Sequence, residues 1–319
     1  MAKLQGSEIV GVANRPATIC SNTMCIWFDT TNLKTVISYC GNVGSWSAGG
    51  ALITARYQLA GAGTQNEGLA MGGRTSVSVN VSCTEEYNGT SWSAGGAMIT
   101  ARNSLAGAGT QNVGLAIGGF TNVSLSCTEE YNGTSWSAGG ALITARYGLG
   151  GAGTQNEGLA IGGISNTYVT CTEEYNGTSW SAGGALITAR YSLGGAGTQN
   201  AGLAMGGRAN IILTCTEEYG GTSWSAGGAL STARYGLVGG GTQNSALAAG
   251  SFPPATSRCT EEYDGSVWFK CGDLINTIAN SAGAGTQNAG LVMGGSISGL
   301  AISCTEEYNK SLGIIDKIQ

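Results

Sequence analysis

The side chains able to do chemistry in this chain come in sets. Glu-Glu pairs follow a Cys-Thr at Glu85-Glu86, Glu129-Glu130, Glu173-Glu174, Glu217-Glu218, Glu261-Glu262 and Glu306-Glu307. Arg56, Arg102, Arg146, Arg190 and Arg234 each close a Thr-Ala-Arg triplet. Paired carboxylates point to general acid–base work, and a ring of guanidinium groups to an anion clamp. Two facts weigh against catalysis. Neighbouring side chains of a strand face opposite ways, so Glu85 and Glu86 cannot converge on one substrate. The chain also has no histidine, which removes the serine and cysteine triads, the commonest general base and most zinc sites. The expectation is a protein that is not an enzyme, with no metal and no cofactor. A residue copied into every unit serves what every unit needs, so the glutamates, and to a lesser degree the arginines, read first as structural, holding neighbouring carbonyls or each other.

Of the ten cysteines, six (Cys83, Cys127, Cys171, Cys215, Cys259 and Cys304) recur at equivalent positions. They read as small buried side chains, too far apart around a ring to bridge, because disulfide Cα atoms must approach within about 7 Å. Cys20, Cys25, Cys40 and Cys271 fall outside the pattern, and their spacing does not decide whether two of them pair.

The elements that carry these sets are read from the period. CTEEYNGTSW opens at Cys83, Cys127 and Cys171 and recurs in altered form from Cys215, Cys259 and Cys304, a step of 44 residues and finally 45. GTQN begins at Gly63, Gly109, Gly153, Gly197, Gly241 and Gly285. Six units of this length, broken by glycine pairs and lacking helical periodicity, predict four short strands each, the pattern of a β-propeller blade. In the first unit these are Leu59–Thr64, Gly68–Gly72, Ser82–Tyr87 and Ser91–Ala94. Asn88-Gly89 predicts the turn between the last two, with positive φ at both central residues. The small Ala60-Gly61-Ala62-Gly63 suits the crowded axis. Trp46, Trp92, Trp136, Trp180, Trp224 and Trp268 suit the outer strands, where blades diverge. Because Trp46 precedes the first GTQN and the last unit stops at Tyr308, a strand near Trp46 is expected to complete the last blade.

The order Glu-Glu-Tyr, Asn-Gly, Trp, then an apolar strand ending in Gly-Gly (Gly72-Gly73, Gly118-Gly119, Gly162-Gly163, Gly206-Gly207, Gly294-Gly295) resembles the kelch repeat over about residues 35–308. The resemblance implies an all-β, six-bladed kelch-like β-propeller. It departs where Ala249-Gly250 replaces the glycine pair and where Ile278-Ala279 replaces Arg-Tyr. The copper site of kelch-type oxidases needs two histidines, so it does not carry over. Gly89-Thr90-Ser91-Trp92 is similar to the tail of the sialidase Asp-box, but Tyr87 stands where that box has Asp.

The expected organisation is an N-terminal arm over 1–23, a β-hairpin over 24–39 turning at Thr30-Thr31-Asn32, the propeller over 40–308 and a tail over 309–319. The segments Arg15-Pro16, Trp27-Phe28-Asp29-Thr30-Thr31 and Leu33 resemble short hairpin segments of bacteriophage fibre and virion appendage proteins. That resemblance implies a virion structural or adhesion protein assembled in the host cytoplasm. Its partners would be other virion proteins through residues 1–39, a host-surface glycan, and further copies of the chain. A cytoplasmic kelch-type interaction scaffold is the alternative. The start MAKLQGSEIV lacks the apolar core of a signal peptide, and no apolar run is long enough to cross a membrane. The net charge is −5 and no basic cluster exists, so nucleic acid is not an expected partner.

Copying fails in one place, the stretch between the second and third strands of each unit: 74–82, 120–126, 164–170, 208–214, 251–258 and 296–303. These loops should emerge on the same face as the Thr-Ala-Arg triplets. Arg74, Phe120, Tyr168, Arg208 and Phe252, around the ring of Arg56, Arg102, Arg146, Arg190 and Arg234, are therefore the candidate binding residues.

Overall fold

The computed structural model describes residues 24–29, 34–251 and 258–318. The expected arm (1–23), the hairpin turn at 30–32 and Phe252 lie outside the described residues. The chain divides into two compact units, residues 45–309 and residues 1–44 with 310–319. In the smaller, Met24–Asp29 pairs antiparallel with the beginning of Lys34–Ala48, from Met24 opposite Tyr39 to Asp29 opposite Lys34. Where a tail was expected from residue 309, Thr305–Ile318 is one continuous strand.

The larger unit is a six-bladed β-propeller with no helix among the described residues. The first blade orders Ala60–Gly63, Gly68–Met71, Thr84–Tyr87 and Trp92–Ala94 from the axis outwards, each antiparallel to the next. The next four blades repeat this, ending with Val238–Thr242, Ser245–Ala249, Thr260–Tyr263 and Trp268–Lys270. In the sixth, Ala282–Gly285, Ala289–Met293 and the beginning of Thr305–Ile318 are completed by the end of Lys34–Ala48. Trp46 packs on Tyr308 there, ring centroids 5.1 Å apart, and Gly49 N–H donates to the Thr305 carbonyl at 2.9 Å. The ring closes, as expected, with one strand from the N-terminal side.

The core lies between blades. Each apolar cluster joins inner and second strands of one blade to the tyrosine and tryptophan of the next, as in Ala60, Leu69 and Met71 with Leu105, Tyr131 and Trp136. Every repeat tryptophan is buried, and its indole N–H reaches a threonine hydroxyl of the preceding blade: Trp136 to Thr84 at 2.9 Å, Trp180 to Thr128 at 3.0 Å, Trp46 to Thr260 at 3.0 Å. The GTQN glutamine does likewise, Gln111 Nε2 donating to the Gly68 and Tyr87 carbonyls at 3.1 and 2.6 Å. Inner strands approach so closely that a Cβ on Gly61 would lie 2.5 Å from the Gly283 carbonyl, which is why that strand is glycine and alanine.

Two local features differ from expectation. In the Asn-Gly turn only Gly89 has positive φ, at 85°. Asn88 instead accepts through Oδ1 from the amides of Thr90 and Ser91 at 3.0 and 2.9 Å, an Asx turn that spans four residues. In the fifth blade the glycine pair is occupied by Gly250-Ser251, not Ala249-Gly250: Gly250 has φ 64°, and Ser251 N–H donates to the Ile278 carbonyl as Gly207 N–H does to that of Arg234.

At one end of the axis, Gln58, Ser104, Gly148, Ser192, Gly236 and Asn280 all adopt positive φ. Each donates its N–H to the carbonyl of its predecessor, and Gln58 donates to Asn280, at 2.6–3.1 Å. The six bonds form a closed circle.

Truncating a junction tryptophan removes both its packing and this indole bond. Trp180→Ala is expected to lower stability by about 3–5 kcal/mol and Trp180→Phe by about 1 kcal/mol, read from urea unfolding followed by circular dichroism.

Candidate functional site

Register explains what the Glu-Glu pairs do. Glu85 stands opposite Ala94 and Glu86 opposite Ser93, so the two carboxylates leave the blade on opposite faces. Glu85 faces the loop arriving from the sixth blade. It accepts from the Ile53 and Thr54 amides at 2.6 and 3.1 Å and pairs with Arg56 at 3.3 Å. Glu86 faces the second blade and accepts the Tyr131 hydroxyl. Equivalent tyrosine-to-glutamate bonds run around the ring, at 2.6 Å for Tyr263 to Glu218 and for Tyr308 to Glu262. Each pair binds one neighbour on either side, and none forms an acid–base couple.

The five arginines are rivets of the same kind. Arg102 donates through Nη2 to the Ala116 carbonyl and pairs with Glu129, both in the second blade, while its own carbonyl accepts from Gly73 N–H of the first. Arg190 and Arg234 pair with Glu217 and Glu261 at 3.0 and 2.9 Å, and Arg146 with Glu173. All five side chains are fully buried (0 % exposed). This corrects the expectation that Arg56, Arg102, Arg146, Arg190 and Arg234 ring a recognition surface: the guanidinium groups are buried against the second and third strands of the blade their loop leads into. At the sixth junction Ile278 fills the arginine's place, and the Asn276 side-chain amide donates to buried Glu306 at 3.0 Å beside the Ile275 and Asn276 backbone amides.

The repeat cysteines are half-buried rather than buried. Cys127 Sγ lies 3.3 Å from Arg102 Nη1. Burial nevertheless pushes the Cys127 and Cys215 thiols up, against the pull of Arg102 and Arg190, so they are poor nucleophiles.

What remains accessible lies on the face of the uncopied loops. Backbone bridges Tyr57–Arg74, Asn103–Phe120, Tyr147–Ile164 and Tyr191–Arg208 tie the triplet loops to the variable loops there. Phe120 is half-buried against Tyr147, ring centroids 4.8 Å apart. Tyr168 is 36 % exposed and stacks on Tyr191 at 5.2 Å with 11° between planes. Tyr191 continues to Tyr235 at 6.2 Å, and the Arg208 guanidinium sits 5.4 Å over the Tyr235 ring. Arg74 is half-buried and stands apart from this row. The structure therefore brings Tyr168 and Arg208 together through Tyr191 and Tyr235.

A second set went unread. Ile53, Ile99, Ile143 and Ile187 are 61–64 % exposed, although they sit in a copied Ala-Leu-Ile-Thr run, Ala-Met-Ile-Thr in the second unit, that looks like core. The residues before them, Leu52, Met98, Leu142 and Leu186, are buried. Alternation along an extended segment was the available signal.

No protein-family model matches the chain, and neither does any curated protein.

Breaking one rivet leaves its glutamate buried without a counter-charge. Arg146→Met is expected to destabilise by about 3–5 kcal/mol in urea unfolding, with part of the loss recovered in Arg146→Met/Glu173→Gln. The tyrosine hydroxyls set an alkaline limit. Burial, then the bond to Glu86, pushes Tyr131 up to about 12, and burial with Glu218 does the same for Tyr263. An unfolded tyrosine ionises near 10, so the stabilisation is whole below about pH 10 and is lost as pH rises towards 12. Unfolding midpoints measured from pH 8 to 12 should stay level and then fall across that window.

Proposed function

We propose that this is a non-enzymatic recognition propeller of kelch type, a structural or adhesion protein of a phage virion that contacts its target with the variable-loop face. One observation carries the reading. The copied arginines, glutamate pairs and strand-three tyrosines are consumed in the scaffold, as Arg56, Glu85, Glu86 and Tyr87 show, while the uncopied loops present aromatic and cationic side chains. Scaffold and contact surface are thereby separated, the usual arrangement of loops on a rigid frame.

The virion setting is supported by the Arg15-Pro16 and Trp27–Thr31 segments, which resemble phage appendage hairpins; residues 1–39 would dock to other virion proteins, and a host-surface glycan would be the external ligand. A cytoplasmic interaction scaffold is the second reading. It is favoured by the exposed Ile53, Ile99, Ile143 and Ile187, an apolar rim of the sort that contacts protein.

The test replaces segments 74–82, 164–170, 208–214 and 296–303 with the sequence of 120–126, leaving the junction arginines, glutamates, tryptophans and strand-three tyrosines in place. Tryptophan fluorescence should be unchanged and binding to host cells lost. Undiminished cell binding by the folded variant would sink the loop-face reading, and absence of the chain from purified particles by mass spectrometry would sink the virion setting.

A further inference from the structure

We infer that the junction between the third and fourth blades holds a binding site for one neutral pyranose, stacked on Tyr168 and hydrogen-bonded by Asn166, Thr167 and Asn210. This rests on the loop-face reading above and gives it a ligand class. The two variable loops 164–170 and 208–214 border an open cavity of about 530 Å³, lined by Ile164, Asn166, Thr167, Tyr168, Ala209 and Asn210 among others. That volume lies within the range of small-molecule sites, roughly 300–1,000 Å³.

Its lining selects the ligand. Tyr168 lines the cavity, and the stacking of its ring on Tyr191 fixes the plane before anything binds. A rigid aromatic platform of this kind provides contact area at little conformational cost. The C–H face of a pyranose is apolar and complements it. Asn166, Thr167 and Asn210 are all exposed, and their amides and hydroxyl offer donors and acceptors together, as a polyhydroxylated ring requires. A purely aromatic guest would leave those groups without partners. No charged side chain lines the cavity, and Arg208 is turned onto Tyr235, Nη1 3.4 Å from the hydroxyl, so a charged guest finds no counter-charge.

Among the described residues, the loops of the two neighbouring blades carry no equivalent platform. The loop positions equivalent to Tyr168 are Ser124 in the second blade and Ile212 in the fourth, which oppose Phe120 and Arg208 as Tyr168 opposes Ile164. Ser124 provides no platform beside Tyr147, and Ile212 none beside Tyr235.

The experiment is saturation-transfer difference NMR on the full chain with methyl glucopyranoside, methyl galactopyranoside, methyl mannopyranoside and N-acetylglucosamine, and a methyl glucuronide as the charged control. At least one neutral pyranoside should receive saturation on the protons of one ring face, with a dissociation constant of about 1 mM, an ordinary value for a single small contact. Tyr168→Ala should weaken binding at least tenfold, Tyr168→Phe should retain it, and Asn210→Ala should fall between. No transfer to any pyranoside with the folded protein would overturn the proposal, as would equal transfer with Tyr168→Ala or a preference for the glucuronide. Loss of cell binding in the loop-replaced chain, with no pyranoside bound by the native one, overturns the sugar site and leaves the loop-face reading intact.

Discussion

The structure depends on the alternation of side chains along four residues of strand. Because Glu85 and Glu86 face opposite ways, one short segment takes an arginine and two amides from the blade junction behind it and a tyrosine hydroxyl from the blade ahead. A blade of four short strands has little interior of its own, and its apolar residues meet those of the next blade. Such units are stable only as an array, and closing the array into a ring removes the end units that an open solenoid must cap. The glutamate pair makes the ring indifferent to where one starts counting.

Buried ion pairs are weak sources of net stability, because desolvation offsets most of the attraction, but they penalise a wrong arrangement severely. Here that penalty falls on register. A one-residue slip in Thr84–Tyr87 would turn Glu85 away from Arg56 and Tyr87 away from Glu307 at once. The sixth junction shows how much of this is replaceable: Ile278 provides the volume, Asn276 provides a donor, and Glu306 keeps its backbone amides. The fixed element is the carboxylate receiving the loop, and the guanidinium is one way of completing it.

Much of this was legible in sequence. The period, the glycine-rich inner segment and the position of Trp46 placed the blades, the strand edges to within two residues, and the closing strand. The opposed roles of the glutamates followed from strand geometry alone. What repetition could not supply was direction. Five arginines copied at one position must serve the blades, but a guanidinium buried against its blade and one lining a surface share the same period, and only packing separates them. The circle at the axis was hidden for another reason: Gln58, Ser104, Gly148, Ser192, Gly236 and Asn280 share a backbone conformation while differing in identity. Tyr191 and Tyr235 carry no distinguishing signal in the sequence because they belong to the copied set, although their partners Tyr168 and Arg208 do not.

The closing strand also bears on synthesis. Ser47 meets the Glu307 carbonyl across 260 residues of chain, so the strand containing Trp46 leaves the ribosome long before its partner exists. At about 5–20 residues per second the wait is roughly 10–50 s. Throughout it, Trp46 has neither the Tyr308 ring nor, for most of the interval, the Thr260 hydroxyl that will hold its indole. An early strand with an open edge invites pairing with a neighbouring nascent chain. Its Gly44-Ser45 and Ser47-Ala48-Gly49-Gly50 surroundings, short, small and largely polar, make it a poor template for such pairing until the sixth blade arrives.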